Sequence, residues 1–230
     1  MIRVLATVLA VSLAGSAVAD ITKPVLRPIG LGDNLRLGDR PQLRPVQLAG
    51  LFKRKNKIKG VYVCGQRDIK GKSVTPISNG RCGIGKPVRV TSVGGVQLSN
   101  AAVIDCKTAK ALSKWVEKAA KPALKRKGGG LKTVHVVASY ACRTRNSQKG
   151  AKLSEHALGH AVDIAGFTLH DGQKLTILND WNGKHSKAMR SMHKKACGTF
   201  GTVLGPKADK YHLDHFHFDT ARYRSGAYCR

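Results

Sequence analysis

Two short stretches carry residues whose types and spacing could do chemistry. In SEHALGHAVDIAGF, residues 154–167, His156 is followed by Asp163 in a run otherwise made mostly of small and apolar side chains. The chain has 230 residues and only 13 acidic ones, so a carboxylate between Val162 and Ile164 stands out. A strand there would normally carry an apolar side chain, and a buried carboxylate needs a partner. The second stretch is YHLDHFHFD, residues 211–219. Read as a strand, its alternation puts His215, His217 and Asp219 on one face and Phe216 and Phe218 on the other. That describes a cavity wall backed by core. Catalytic zinc sites take three protein ligands from His and carboxylate and keep a fourth position for water. His156, Asp163 and a histidine of the last strand would supply that set. Ala157, Gly159 and Ala161 would let the chain turn tightly between the first two. A lone histidine is more often a surface or satisfied core residue, and nine histidines make chance clusters common. The two segments together stand above that background.

The string S-x-H-x-x-G-x-A-x-D, Ser154 to Asp163, followed by His215-Phe216-His217, resembles the signature of the zinc D-alanyl-D-alanine-type peptidases. That clan joins cell-wall carboxypeptidases and endopeptidases to the hedgehog signalling domain. A wider pattern resembles the bacterial extensin-like C-terminal domain over roughly residues 60–230: Cys-Gly at 64, Cys-Gly-Ile at 82, Ser-Tyr-Ala-Cys-Arg at 139–143 and H-x-D-H-F-H at 212–217.

The resemblance implies zinc held by His156, Asp163 and His217. It also implies that Arg143, with Arg145 as the nearby alternative, binds a substrate carboxylate or polarises the scissile carbonyl, a task that suits a bidentate guanidinium. Ser154 would hydrogen-bond the substrate backbone. The general base has three candidates. Many clan members carry Glu three residues before the last ligand, where this chain has Asp214, one methylene shorter. Strand alternation points Asp214 away from His217 unless a bulge intervenes. The endopeptidase branch has histidines arranged much like His212, His215 and His217. His215 shares a face with the ligand, and imidazole is the side chain best suited to acid–base work near neutral pH, so it is the first choice, followed by His212 and Asp214. Asp219 is expected to orient His217 from behind. The implied activity is metal-assisted hydrolysis of amide bonds in peptidoglycan stem peptides or cross-links. The rival from the same clan is a zinc-containing wall-binding module without turnover. A cationic binder without metal leaves the histidines and carboxylate unexplained.

These residues need a scaffold, and the rest of the chain outlines one. MIRVLATVLAVSLAGSAVA reads as a secretory signal, residues 1–19: Arg3, a short apolar run and an A-x-A site. The run is too short for an ordinary span, so no transmembrane segment is expected after cleavage. The bacterial periplasm is the expected compartment. Residues 20–59 are basic and proline-containing, read as a linker, and 60–230 as one domain with a core of its own. The net charge of +28 would suggest nucleic acid inside a cell. In an exported chain with few aromatic residues it suggests peptidoglycan or another anionic envelope polymer instead. Six cysteines in the mature part suggest disulfides. Fifteen pairings are open to them, and a largely sequential set is expected, with Cys197–Cys229 closing the last segment. No C-x-x-C pair offers a structural zinc site.

Strands are expected at PVRVTSV (87–93), GVQLS (95–99), 133–140, TFGTVL (199–204) and 211–219. Helices are expected over 101–120, capped by Asn100 with a lysine stripe on one face, and over 185–196. Without regular βαβ alternation the class is α+β. The expected form is a small, mostly antiparallel sheet flanked by helices, disulfide-stabilised and hedgehog/DD-peptidase-like.

Overall fold

The computed structural model describes residues 61–230 apart from Arg224. The leader over 1–19 and the basic segment 20–59 lie outside the described residues.

The domain opens with five strands: β1 (Ile69–Ser73), β2 (Ile77–Asn79), β3 (Cys82–Ile84), β4 (Val88–Val93) and β5 (Val96–Ile104). Gly94 and Gly95 join β4 to β5 with positive φ at both positions, as a tight hairpin turn requires. Helix α1 (Cys106–Trp115) runs through a π turn at Val116–Ala120 into α2 (Lys121–Leu124). Its N-cap is Asp105, which accepts the Thr108 N–H at 2.7 Å. Leu112, Trp115, Val116 and Ala119 are buried, while Lys107, Lys110, Lys114 and Lys118 are exposed. Then follow β6 (Leu131–Ala138), β7 (Ala161–Leu169), β8 (Lys174–Thr176), α3 (Ile177–Asp180), α4 (Ser186–Ala196), β9 (Thr202–Leu204), β10 (Phe216–Asp219) and β11 (Tyr228–Cys229).

Among the described residues the fold is α+β, built on one nine-stranded sheet in the order β1-β4-β5-β6-β7-β10-β9-β11, with β8 on β7, plus the small β2–β3 pair. The sheet is therefore not small, and it is mixed: most neighbours pair antiparallel, but β5 runs parallel to β6, and β11 parallel to β9. The first parallel pair exists because α1 and α2 form a crossover that carries the chain back to its starting end. The second exists because the C-terminal tail returns to lie along β9.

The core lies between the sheet and the helices. Trp115 is its centre: its indole N–H donates to the Met192 carbonyl on α4 at 2.9 Å, and its ring meets Phe218 edge-on at 5.1 Å. Phe216 packs against Trp181 and against His193 of α4. Each such ring contributes about 2–3 kcal/mol by burial, so β10 is fixed by its two phenylalanines.

Several boundaries differ from the sequence reading. The helix expected over 101–120 starts at 106, because 101–104 continue β5, whose pairing with β4 buries Ala102 and Ile104. Asn100 is not its cap: its amide donates to the Val136 carbonyl at 2.8 Å. The strand expected over 211–219 is regular only at 216–219, since 211–215 have no neighbour to pair with. The strand expected over 133–140 occupies 131–138, and that over 199–204 only 202–204.

Cys197–Cys229 pairs as expected, but the other bridges are interleaved: Cys64–Cys106 and Cys82–Cys142. The sequential expectation failed because the sheet, not chain order, chooses neighbours.

Candidate functional site

The carboxylate in the strand has its partner directly across the ladder. β7 and β10 run antiparallel with Asp163 opposite His217, flanked by the pairs Ile164–Phe216 and Val162–Phe218. Alternation then sends Phe216 and Phe218 into the core, and His217 and Asp219 to the other face together with Asp163. His156 comes from a single 3₁₀ turn, Glu155–Leu158, entered through Ser154 and left through Gly159. Gly159 has φ of 69°, and a Cβ there would collide with the Ile84 side chain, so glycine is needed twice over.

His156, Asp163 and His217 each offer a ligand atom within 4.8 Å of the others, and all three residues are buried. His156 Nε2 lies 3.1 Å from Asp163 Oδ2 and 3.1 Å from His217 Nδ1, which is 2.9 Å from Asp163 Oδ1. The far side of each ring is already committed. His156 Nδ1–H donates to the Ser139 carbonyl at 2.6 Å, and a carbonyl can only accept. His217 Nε2–H donates to Asp219 at 3.2 Å, and the other Asp219 oxygen accepts the Ala221 N–H at 2.9 Å. The nitrogens that face each other are thus the ones free to present lone pairs. Two such nitrogens and a carboxylate around one point need a cation or a proton between them. Without metal, the proton is the answer: burial opposes charge on His217, but its bonds to Asp163 and Asp219 outweigh this and push its pKa up to about 9. Burial likewise opposes charge on Asp163, and the two histidines still hold its carboxyl far below the usual range. Two imidazoles and one carboxylate, buried, with their outer nitrogens anchored, are a donor set that fits zinc.

A cavity of about 380 Å³ opens over this cluster. Arg143, Arg145, Ser154, His212 and His215 all line it. Arg143 is only lightly tethered, to the Thr144 carbonyl at 3.4 Å. The Ser154 oxygen accepts the His156 N–H at 3.4 Å, so its hydroxyl both caps the turn and faces the cavity. His215 donates from Nδ1 to Asp214 at 2.8 Å, leaving Nε2 3.8 Å from Asp163. Asp214 itself is exposed, and it stands behind His215 and not over the cluster. His212 donates from Nδ1 to Asp209 at 2.7 Å. Burial pulls the His212 pKa down despite that partner. Eight of the nine expected site residues therefore line one cavity, and Asp214 touches it only through His215.

Sequence reasoning missed several others. Asp209 aims His212, and the only signal was its place three residues earlier, in a loop with no regular pattern. Ser139 contributes through its backbone, which no side-chain motif reveals. Tyr211, Tyr223, Tyr228 and Thr202 line the cavity, although nothing in their spacing brings them together.

Residues 62–230 match the family described as extensin-like protein C-terminus. The chain belongs to that family. No curated protein and no solved structure matches it. The match covers every residue of the cavity, so the buried cluster and its two flanking histidines are part of the extensin-like C-terminal domain itself.

Proposed function

We propose that this extensin-like C-terminal domain is an exported zinc metallopeptidase. It hydrolyses amide bonds in peptidoglycan stem peptides or cross-links, as a carboxypeptidase or endopeptidase. The single observation that carries the reading is the buried His156–Asp163–His217 cluster, with its outer ring nitrogens tied to Ser139 and Asp219, at the floor of an open cavity. Kinship with the zinc D-alanyl-D-alanine peptidases, and a fold like theirs, is part of the proposal and rests on the S-x-H-x-x-G-x-A-x-D and H-x-H strings.

Zinc held by these three residues would activate water and polarise the scissile carbonyl. The chain's own groups do the rest. His215, aimed by Asp214, accepts the proton of the attacking water at Nε2 and returns it to the leaving amine. His212, aimed by Asp209, stands beside it, with ring centroids 5.2 Å apart. Arg143 stabilises the oxyanion or holds a substrate carboxylate, with Arg145 next to it. Ser154 offers its hydroxyl to the substrate backbone.

The net charge of +28 suits an acidic wall polymer. Three disulfides suit an oxidising compartment such as the periplasm. No helix among the described residues is long and apolar enough to cross a membrane. The second reading, a zinc-containing wall-binding module without turnover, is favoured by the one-remove position of Asp214, which is exposed and paired with His215.

The deciding experiment digests purified sacculi with mature protein, with and without a zinc chelator, and reads the released fragments by mass spectrometry. Chelator-sensitive loss of cross-links or terminal residues supports the peptidase and names its bond. Intact sacculi after treatment with folded, zinc-loaded protein overturn it in favour of the binding module.

A further inference from the structure

Aromatic side chains are distributed unevenly in this domain. Among the described residues all four phenylalanines and both tryptophans are buried. Four of the five tyrosines are instead exposed, and three of these line the cavity: Tyr211 at 41% exposure, Tyr223 at 42% and Tyr228 at 52%. Burying such rings is favourable, and leaving three of them open around one concavity marks a surface made to be covered.

The rings are held in place. The Tyr223 hydroxyl meets the Thr202 hydroxyl at 3.3 Å, and Tyr228 is paired in register with the same Thr202 where β11 lies along β9. Cys197–Cys229 fastens that strand immediately beyond Tyr228. Tyr223 and Tyr228 therefore line the cavity beside one residue, Thr202, on the strand that pairs with the one carrying His217. Tyr211 is tied separately, its hydroxyl accepting from the Gln148 amide at 3.3 Å. Close to the rings stand the Thr202 hydroxyl, beside Tyr223 and Tyr228, and two cations: the Arg230 guanidinium over the Tyr228 ring at 5.8 Å and the Lys210 ammonium over the Tyr211 ring at 5.4 Å. Asn146, Ser147, Arg143 and Arg145 also line the cavity.

We propose that Tyr223 and Tyr228 form a subsite for a sugar ring, so that the cavity takes stem peptide still attached to its amino sugars in preference to free peptide. The inference rests on the reading under Proposed function and names the substrate class of that site. A pyranose has an apolar face of C–H groups that lies on an aromatic ring, and an edge of hydroxyl and acetamido groups that exchanges hydrogen bonds with hydroxyl and guanidinium groups. The tyrosines supply the first, and the Thr202 hydroxyl with the Arg230 guanidinium the second. A free acidic peptide would pair with the cations but brings no apolar ring face to lay against Tyr223 and Tyr228. Binding energy gained on the sugar, away from the scissile bond, is available to position the bond over the cluster.

The test is calorimetric titration of the mature protein with two probes: a stem peptide carrying its disaccharide, and the same peptide with the sugars removed. One ring stacked on one tyrosine, at about 1.4 kcal/mol, corresponds to about tenfold tighter binding of the sugar-bearing probe. The double substitution Tyr223→Ala with Tyr228→Ala should bring the ratio of the two affinities near one, and Tyr223→Phe with Tyr228→Phe, which keeps the rings and the fold, should preserve it. Equal affinities in the unsubstituted protein, or a preference that survives loss of both rings, overturn the subsite. A protein that binds the sugar-bearing probe preferentially without cleaving it keeps the subsite and overturns the peptidase; one that cleaves both probes with equal affinity does the reverse.

Discussion

The floor and the rim of the cavity are built in opposite ways. The floor, His156, Asp163 and His217, is buried, held by ladder pairing and by a capped turn, and every outer ring nitrogen is anchored. The rim, Arg143, Arg145, His212, His215 and the three tyrosines, sits largely on connecting segments, and it is anchored by single hydrogen bonds and by disulfides. Rigid elements fix the position of a metal, whose geometry tolerates little error. Loops carry the groups that meet the substrate, which vary with what is bound. Damage to the floor should therefore act on metal affinity and stability together, and damage to the rim should separate the two.

The strongest challenge to that division is Asp163→Ala. It strands His217 in a buried site, and removing one partner of a buried pair costs about 3–5 kcal/mol. Zinc affinity, measured by competition with a chelating dye, should fall by more than about 100-fold. Wild-type affinity in this variant would mean that the floor is not a metal site.

A comparable loss of stability should come from the disulfide beneath the rim. Cys82–Cys142 closes 60 residues and anchors the segment that bears Arg143. Replacing both cysteines by serine should lower unfolding free energy by about 4 kcal/mol in denaturant titration, while zinc affinity of the folded fraction stays put. Equal losses in both would erase the distinction between rim and floor.

Asp219→Asn sharpens the contrast from the other side. Both Asp219 oxygens accept N–H groups in a buried site, and the amide turns one of them into a donor facing a donor. Zinc affinity should therefore drop by about 10–100-fold, and the melting temperature should fall with it; an unchanged melting temperature would uncouple this residue from the floor.

The smallest effect concerns His160, whose Nδ1–H donates to Glu155 at 2.9 Å with Asp105 further off. The hydrogen bond to Glu155 raises its pKa above 6.5 against the pull of burial, with Asp105 adding to the rise. A raised histidine stabilises the fold fully below its unfolded pKa, and the contribution disappears as pH rises through the folded value. The stability gap between the wild type and His160→Gln should accordingly be widest near pH 5.5 and shrink by pH 8.5, as read by chemical denaturation. A gap that widens with pH would remove the ion pair from the account.

The same division explains what could be read from the sequence. The floor was legible because strand alternation in HFHFD places two side chains by their spacing alone, and because a carboxylate among apolar residues announces a partner. The lysine stripe and the buried stripe of α1 were legible for the same reason. Its start was not: Ala101 to Ile104 suit a helix as well as a strand, and only pairing with β4 decides. The extent of the sheet, its two parallel pairings and two of the three disulfides depend on contacts between distant segments, which leave no local trace. Asp209 and the tyrosines escaped because loops have no period, and Tyr223 reaches the cavity only after the tail has been folded back along β9.

The interleaving of Cys64–Cys106 with Cys82–Cys142 has a consequence for how the molecule must be made. As the chain emerges N-terminus first, Cys82 becomes available to Cys64 before Cys106 does, and a thiol oxidant that joins whatever is nearest would couple the wrong two. Native connectivity then has to be reached by thiolate exchange, on a scale of seconds to hours. Yield from an oxidising compartment should depend on a disulfide-shuffling activity and not on oxidising power alone.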